Sequence, residues 1–337
     1  MSSRLALAAL FVCCLSGCVT TGSEPNPAHP FIGEYTGTFT PPEGDARKAK
    51  ACVFPVKDAY RVVLTVEPAG AKDKAMRLEL VGKPNDDVLH FRSVAGTATW
   101  EGKIAKGRLT TGGNERAASI FDLKRTVRTS PTEGAKPPKG AVVLLPFDKN
   151  KPPALDAWRN KTWKPMPDGS MEVGKRDNHT VGKFADVQLH IEFRCPLEPN
   201  RAGQGRGNSG VYLQGRYEVQ VLDSFGLVPG GGDCGAIYGV APPKVNTSLP
   251  PLRWQTYDIT FHAPRLGPDG KIIKHAEMTV LHNGIEIHDR QVIRTTTRAG
   301  GSGALAKAPL MVQDHGNKVR YRNIWLIELK REGRKAD

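Results

Sequence analysis

The segment Phe184–Arg194 alternates apolar and polar side chains more regularly than any other part of the chain. A period of two places the two kinds of side chain on opposite faces of an extended strand. The predicted inner face carries Val187, Leu189, Ile191 and Phe193, and the outer face carries His190, Glu192 and Arg194. The segment is therefore predicted to be a half-buried strand, whose apolar face must pack against a second layer of structure.

A second alternating segment, Tyr217–Asp223, follows a Gly-bounded turn. Val219 and Val221 fall on its apolar face, whereas Glu218 and Gln220 fall on the other. A carboxylate and an amide held on one rigid strand indicate a binding surface. A polar outer face without a role is the alternative explanation.

Short strand-like runs, separated by Gly, Pro and Asp, continue along nearly the whole chain with almost no helical pattern. We predict an all-β protein in which residues 31–128 form a small antiparallel sandwich or barrel of unknown role. Residues 129–140 are dense in Pro and Gly and are predicted to be a linker. Residues 141–330 are predicted to form two stacked antiparallel sheets, with a tight hairpin at Asn283-Gly284.

The amino terminus resembles a bacterial lipoprotein signal. Arg4 precedes the apolar run Leu5–Leu15, and Ser16-Gly17 places small residues directly before Cys18. The apolar run is too short and too early for a lasting membrane span. A plain secretory signal that ends elsewhere is the alternative.

This resemblance predicts that residues 1–17 are removed and that Cys18 is the lipid attachment site, through which the membrane becomes a partner. Residues 18–30 are rich in Ser, Thr, Pro and Gly, as expected of a tether. The protein is thus predicted to be an exported bacterial lipoprotein anchored to the envelope. Val19 after the cysteine favours the outer membrane.

Three cysteines remain once the predicted signal and the lipidated residue are set aside, namely Cys52, Cys195 and Cys234. Three thiols at wide spacing cannot form a four-sulfur zinc site. Cys195 and Cys234 belong to the same predicted domain. The sequence is compatible with a disulfide between them and with two buried free thiols.

The formal net charge of +14 at pH 7 makes the chain strongly basic. Nucleic acid is the usual partner of such a chain, but export argues against it, and the cations are dispersed without a basic helix. We therefore expect no nucleic-acid partner. Solubility, or contact with anionic lipid headgroups, accounts for the charge better.

Short motifs in the second half of the chain follow a fixed order. They are Phe147-Asp148, Leu155-Asp156-Ala157-Trp158, Trp163, Asp168-Gly169, Phe184–Arg194, Asn208-Ser209-Gly210, Glu218–Asp223, Gly235-Ala236-Ile237-Tyr238, Trp254, Asn283-Gly284, Gln313-Asp314-His315-Gly316 and Arg322-Asn323-Ile324. With this ordered set, the segment Val142–Leu329 resembles the 3-keto-disaccharide hydrolase family. The resemblance implies a concanavalin A-like jelly-roll β-sandwich, preceded here by the small antiparallel β domain. Asp148-Lys149-Asn150 and Trp254-Gln255 depart from the family's usual Asn-Gly and Trp-Asn, at turn or strand-entry positions.

The resemblance also implies an enzyme that acts on glycosides already oxidised at sugar carbon 3. The carbonyl acidifies the proton on carbon 2, so a base can remove it and the glycosidic oxygen can leave carbon 1. Ordinary hydrolysis would instead use two carboxylates facing each other across the bond. A carbohydrate-binding module without activity is the alternative on the same fold, and an envelope scaffold is a third hypothesis.

Proton abstraction needs one base and one electrophile on the keto oxygen. Glu218 and His315 are the predicted catalytic residues, and Arg322 or a bound cation is the predicted electrophile. The polar outer faces of the strands are expected to share one groove for the carbohydrate. Its predicted substrate-binding residues are Glu192, Arg194, Asn208, Gln220, Tyr238, Trp254, Gln313 and Arg322.

The sequence names no certain cofactor, and the identity of a metal stays open. Asp223, Asp233 and the loop Gly230–Gly232 are the candidate ligands of a divalent cation. A Gly-rich rim loop with an incidental aspartate is the alternative. The oligomeric state is not indicated by the sequence.

Overall fold

The computed structural model describes residues 29–70, 72–93, 100–112 and 120–330. These residues form β-strands and one 3-10 turn at Gly203–Gly205, which confirms the all-β prediction. A closed barrel is followed by a sandwich of two antiparallel sheets, as expected of a small β domain ahead of a jelly roll. No helix within these ranges is both long and apolar enough to cross a membrane. The predicted signal and Cys18 lie outside the described residues.

The amino-terminal domain is a barrel of eight antiparallel strands. It closes because the first strand pairs with both the second and the eighth. The strands are β1 (Gly33–Thr40), β2 (Arg47–Val56), β3 (Ala59–Val66), β4 (Met76–Asn85), β5 (Val88–Ser93), β6 (Glu101–Ala105), β7 (Arg108–Thr111) and β8 (Ile120–Thr126). Alternate side chains fill the interior, among them Tyr35, Leu64 and Phe121, which are fully buried.

The sandwich consists of a larger sheet and a smaller sheet. In spatial order the larger sheet contains β10 (Lys164–Pro165), β11 (Met171–Glu172), β22 (Arg320–Glu328), β13 (Val187–Arg194), β16 (Gln255–His262), β19 (Ala276–His282) and β20 (Ile285–Ile293), with β9 (Val142–Leu145) also paired to β22. The smaller sheet contains β12 (Asn178–His179), β21 (Met311–Val312), β14 (Ser209–Leu213) and β15 (Tyr217–Val221). A separate ribbon joins β17 (Arg265–Leu266) to β18 (Ile272–Lys274).

The two sheets pack face to face around one apolar core. The predicted inner face of β13, represented by Leu189 and Ile191, meets Val219 and Val312 of the smaller sheet in this core. Successive side chains of a strand point to opposite faces. The polar residues that alternate with the core residues therefore lie on two outer faces, on opposite sides of the sandwich.

The predicted linker is packed against the larger sheet. Ser130 Oγ lies 2.6 Å from Thr256 Oγ1, and the Gly134 N–H donates to Glu192 Oε1 over 2.6 Å. The Ala135 carbonyl accepts a hydrogen bond from Asn323 Nδ2 at 2.9 Å. We call residues 129–138 the strap, because they run over the outer face of the larger sheet and cover it.

The barrel docks on the sandwich through a small apolar cluster. Cys52, Phe54 and Val63 of the barrel pack with Phe225, which follows β15 in the sandwich. The Arg206 guanidinium lies 5.3 Å from the Phe54 ring centroid. The two loops that flank the outer face of β14 and β15 are thus in contact with the barrel.

Candidate active site

The outer face of the smaller sheet gathers polar side chains around Glu218. Tyr212 is opposite Glu218 in the register of β14 and β15, and Gly210 is opposite Gln220. Val219 points into the core, so its two neighbours in β15 point away from it. The next strand, β21, is followed by Gln313, whose Nε2 donates to the Tyr212 hydroxyl over 3.0 Å.

Gly210 is the residue that makes room for this cluster. A Cβ at that position would lie 2.6 Å from Glu218 Oε1 and 2.6 Å from Tyr212 Cε2. Real Cβ contacts are essentially never that short. The missing side chain therefore allows the Glu218 carboxylate to lie over the strand, where any other residue would displace it.

The Glu218 carboxyl group is held in a poorly solvated position. The residue is only 2 % exposed, and burial raises the pKa of Glu218 from its usual 4.5 to about 7. A hydrogen bond from Tyr212 opposes this rise, whereas the negative charge of Asp177 adds to it. A carboxylate with a pKa near neutrality suits a general base or acid at physiological pH.

Asp177 belongs to a neighbouring loop that closes one end of this face. Its Oδ1 accepts the backbone N–H of Asp314 at 2.9 Å, while Asp314 Oδ2 accepts the backbone N–H of Arg176 at 2.8 Å. His315 comes next in the chain and is exposed. These bonds hold Asp314, the residue between Gln313 and His315, and so fix the loop that carries His315.

The other end of the same face is built from amide side chains. Asn208 and Gln220 are each 1 % exposed, and both donate to the Gln204 side chain. Tyr238 lies beside them, because its N–H donates to the Glu218 carbonyl at 3.3 Å. Five of the predicted sugar-face residues, Glu218, Gln220, Asn208, Gln313 and Tyr238, are thus brought together.

The expectation of one shared groove is wrong, because the remaining predicted residues lie on the opposite outer face. Glu192 and Arg194 belong to β13, and Arg322 belongs to β22, all with their side chains away from the core. Arg322 lies 4.1 Å from the Trp254 ring centroid, and Arg194 lies 4.8 Å from it. The apolar core separates this aromatic and arginine cluster from Glu218.

Glu192 and Arg322 bind the strap instead of lining an open groove. Glu192 is 0 % exposed and accepts hydrogen bonds from the Gly134 N–H, from Asn323 Nδ2 at 2.8 Å and from Arg322 Nε at 2.7 Å. Arg322 also pairs with Glu133 of the strap over 2.8 Å. Arg322 is therefore unable to polarise a keto group held near Glu218, contrary to the sequence-based prediction.

The proposed cation ligands are engaged elsewhere. Asp223 is 7 % exposed and pairs with Arg206 over 3.2 Å, and Asp233 Oδ1 accepts the Ser224 hydroxyl at 3.2 Å. Within the described residues, no group of three or more His, Cys, Asp and Glu is arranged to hold a metal ion. This geometry gives Asp223 a structural role, as the counter-ion of a buried arginine.

The cysteines of the described ranges are free and buried. Cys195 and Cys234 both lie in the sandwich core. Cys234 Sγ is 3.1 Å from the Tyr257 hydroxyl. The structure thus corresponds to the free-thiol alternative for this pair.

Sequence reasoning missed Tyr212, Gly210, Asp177 and Gln204. Tyr212 and Gly210 alternate with Val211 in β14, so the period of two already placed them on the face opposite the core. Asp177 lies in a loop and Gln204 in a three-residue 3-10 turn, and neither segment shows a period in the sequence. Only the folded arrangement shows that these two side chains reach the face of β15.

Comparison with known proteins shows that the sandwich matches a known protein family. Residues 147–327 match the 3-keto-alpha-glucoside-1,2-lyase-like domain. A crystal structure of a candidate glycosyl hydrolase from Parabacteroides distasonis is 35% identical, with a TM-score of 0.50, over 57% of this chain and 85% of its own. A second candidate glycosyl hydrolase from the same organism is 18% identical, with a TM-score of 0.41, over 60% and 99%. No curated protein matches the chain significantly.

Proposed function

The chain belongs to the 3-keto-alpha-glucoside-1,2-lyase-like family, and from this membership we propose that it cleaves 3-keto-glycosides on the outer face of its smaller sheet. At the coarser level, the chain is similar to a protein described as a candidate glycosyl hydrolase. The proposed step is removal of the carbon 2 proton, followed by loss of the glycosidic oxygen from carbon 1.

The observation that carries the proposal is the state of Glu218. Its pKa of about 7 leaves it about half ionised at neutral pH, and its carboxylate form binds a proton strongly enough to be a useful base. It lies on a rigid strand among hydrogen-bonding groups that suit a carbohydrate. Elimination next to a ketone needs one such base, whereas displacement through an oxocarbenium ion needs an opposed pair of carboxylates.

In the proposed reaction, the Glu218 carboxylate accepts the proton from carbon 2, and the freed electron pair becomes the enolate of the carbon 3 ketone. The enolate then expels the glycosidic oxygen, which leaves a double bond between carbons 1 and 2. Water adds to carbon 1 afterwards and gives the free keto sugar. We assign His315, which is exposed two residues after Gln313, to the proton that the departing oxygen needs.

Incubation of the full chain with a 3-keto-glucoside, with release of the aglycone as the readout, tests this proposal. Glu218→Gln should lower the rate by about 10²-fold or more, because an amide cannot take the proton. His315→Ala should lower it less for a good leaving group than for a poor one. Unchanged rates in both variants would remove both residues from the mechanism. Sugar binding without any turnover would favour a carbohydrate-binding module.

We also propose that the protein is an exported lipoprotein acylated at Cys18. The sequence supports this through the apolar run that ends at Ser16-Gly17-Cys18. Labelling cells with a radioactive fatty acid tests it. The label should appear on the wild-type protein and be absent from Cys18→Ser, and equal labelling of both would contradict it.

A further inference from the structure

Gln204 is an exposed residue whose side chain joins two buried amides. It lies in the 3-10 turn Gly203–Gly205 and was not singled out by its sequence context. Its Oε1 accepts from Asn208 Nδ2 at 3.1 Å and from Gln220 Nε2 at 3.0 Å. Its own Nε2 donates to the Gly232 carbonyl at 2.8 Å.

The orientation of these three amides is determined by backbone carbonyls. A carbonyl oxygen can only accept, so the Gly232 carbonyl requires the NH₂ group of Gln204. The Gln204 oxygen must then face the other two amides, which must turn their NH₂ groups toward it. Asn208 Nδ2 is fixed a second time, because it donates to the Gln204 carbonyl at 2.7 Å.

Two acceptor oxygens are left over by this arrangement. Asn208 Oδ1 and Gln220 Oε1 are buried, and neither has a hydrogen-bond partner in the described structure. A buried acceptor without a donor is strongly unfavourable, so these atoms call for a ligand that supplies O–H or N–H groups. Gln220 is two residues from Glu218 on one strand, a separation of about 7 Å that one sugar ring and its substituents can span.

We propose that Asn208 and Gln220 form an acceptor-only subsite for sugar hydroxyl groups, and that Gln204 determines its specificity by locking both amides. This inference rests on the proposed function for the identity of the ligand as a sugar. A keto oxygen, a carboxylate or a phosphate offers no donor and is rejected there. The oxidised carbon 3 of the substrate therefore lies toward Glu218 and Tyr212, and unoxidised carbons face the amides.

The loop that carries Gln204 is held firmly at its base. Arg206 pairs with Asp223 and is covered by the Phe54 ring of the barrel. Glu198 Oε2 accepts the Gly207 N–H at 2.8 Å and Asn317 Nδ2 at 2.6 Å. The barrel thus contributes to the subsite as a support, since it packs on the arginine two residues from Gln204.

Binding of methyl α-glucoside and its monodeoxy and monofluoro derivatives at carbons 2, 4 and 6 tests the proposal, with the dissociation constant of the full chain as the readout. At one or two of these three carbons, replacing the hydroxyl group by hydrogen should weaken binding by about tenfold. Replacing OH by F should weaken it at least as much, because fluorine cannot donate a hydrogen bond. Gln204→Ala should reduce this discrimination to less than about threefold at the position that Gln220 contacts, because the Gln220 amide loses the side chain that orients it, whereas Asn208 stays oriented by the backbone carbonyl of residue 204.

Gln188→Ala is the matched control, because Gln188 is an exposed amide on β13. It should retain the full discrimination. The proposal is overturned if the fluoro derivatives bind as well as the parent at every position, if Gln204→Ala keeps the wild-type pattern, or if methyl α-glucoside does not bind. If the protein discriminates between the hydroxyl and fluoro derivatives but does not cleave 3-keto-glucosides, the proposed reaction is wrong and the subsite is supported. If it cleaves 3-keto-glucosides but does not discriminate between these derivatives, the subsite is wrong and the proposed reaction is supported.

Discussion

Glu192 and Glu218 lie on opposite outer faces of the same sandwich, and their carboxyl groups have opposite ionisation behaviour. Burial alone would raise the pKa of Glu192, but hydrogen bonds and the charge of Arg322 outweigh it and lower that pKa. For Glu218 burial prevails and the pKa is raised to about 7. The first carboxylate is therefore suited to holding the strap, and the second is suited to exchanging a proton.

Glu218→Gln should stabilise the protein at alkaline pH while it removes activity. The folded state keeps the Glu218 proton up to pH about 7, whereas the unfolded chain loses it near 4.5. The folded state thus binds more protons in this window, so stability falls as the pH rises through it. At pH 8 the variant should be more stable than wild type by on the order of 3 kcal/mol.

Urea unfolding of both proteins at pH 4 and pH 8 measures this difference. The two proteins should have similar stability at the lower pH, where Glu218 is protonated in both states. A variant that is less stable than wild type at pH 8 would contradict the raised pKa of Glu218.

Two neighbours of Glu218 should shift the pH dependence of turnover in opposite directions. Tyr212→Phe removes a hydrogen bond that lowers the pKa of Glu218, so the midpoint of the pH-rate profile should rise. Asp177→Asn removes a negative charge that raises this pKa, so the midpoint should fall. Profiles of kcat/KM against pH measure both, and shifts in the same direction would exclude Glu218 as the titrating base.

Gly210→Ala should reduce turnover by about tenfold or more with the fold retained. The added methyl group would contact Glu218 Oε1 and the Tyr212 ring at 2.6 Å, and small displacements of reacting groups are costly. Gly231→Ala is the control, because nothing lies within 4 Å of the Cβ added there. Circular dichroism and kcat measure the outcome. Equal activity in the two variants would show that turnover does not depend on the space that the missing side chain of Gly210 leaves for Glu218.

His190→Gln should destabilise the protein by about 3 kcal/mol at pH 7. Burial lowers the pKa of His190, but hydrogen bonds to Asp258 at 2.6 Å and to Glu192 outweigh it and raise the pKa to about 9. A raised pKa gives stability that is complete below the unfolded value of 6.5 and is lost as the pH rises through 9. The difference between wild type and variant should therefore shrink between pH 7 and pH 10.

His90→Gln is the control for this experiment, because His90 is exposed on β5 of the barrel. It should change the free energy of unfolding by less than about 0.5 kcal/mol at either pH. A His190 variant as stable as this control at pH 7 would show that the buried ion network does not hold the strap.

The sequence contained most of the information on the fold. The period of two in β13 and β15 predicted the inner residues Leu189 and Val219 correctly, because alternation alone decides which side chains meet the core. The Asn283-Gly284 turn was also predicted, and it joins β19 to β20 as expected. Family resemblance supplied the jelly roll, which alternation by itself could not distinguish from other sandwiches.

The candidate site was only partly predictable, because alternation identifies outer residues without telling one outer face from the other. Glu192 and Glu218 have the same pattern in sequence, yet they belong to different sheets. The packing of the strap on the larger sheet was also not predictable from the sequence. The strap binds partly through backbone groups such as the Gly134 N–H and the Ala135 carbonyl, which every sequence has.

Exchange of the carbon 2 hydrogen in heavy water tests the central claim most directly. A 3-keto-glucoside incubated with the wild-type protein should yield keto sugar with deuterium at carbon 2, as detected by NMR. The folded Glu192→Gln variant should do the same, and Glu218→Gln should slow both product formation and deuterium incorporation by about 10²-fold or more. Cleavage without deuterium at carbon 2, or undiminished exchange by Glu218→Gln, would contradict proton abstraction by Glu218.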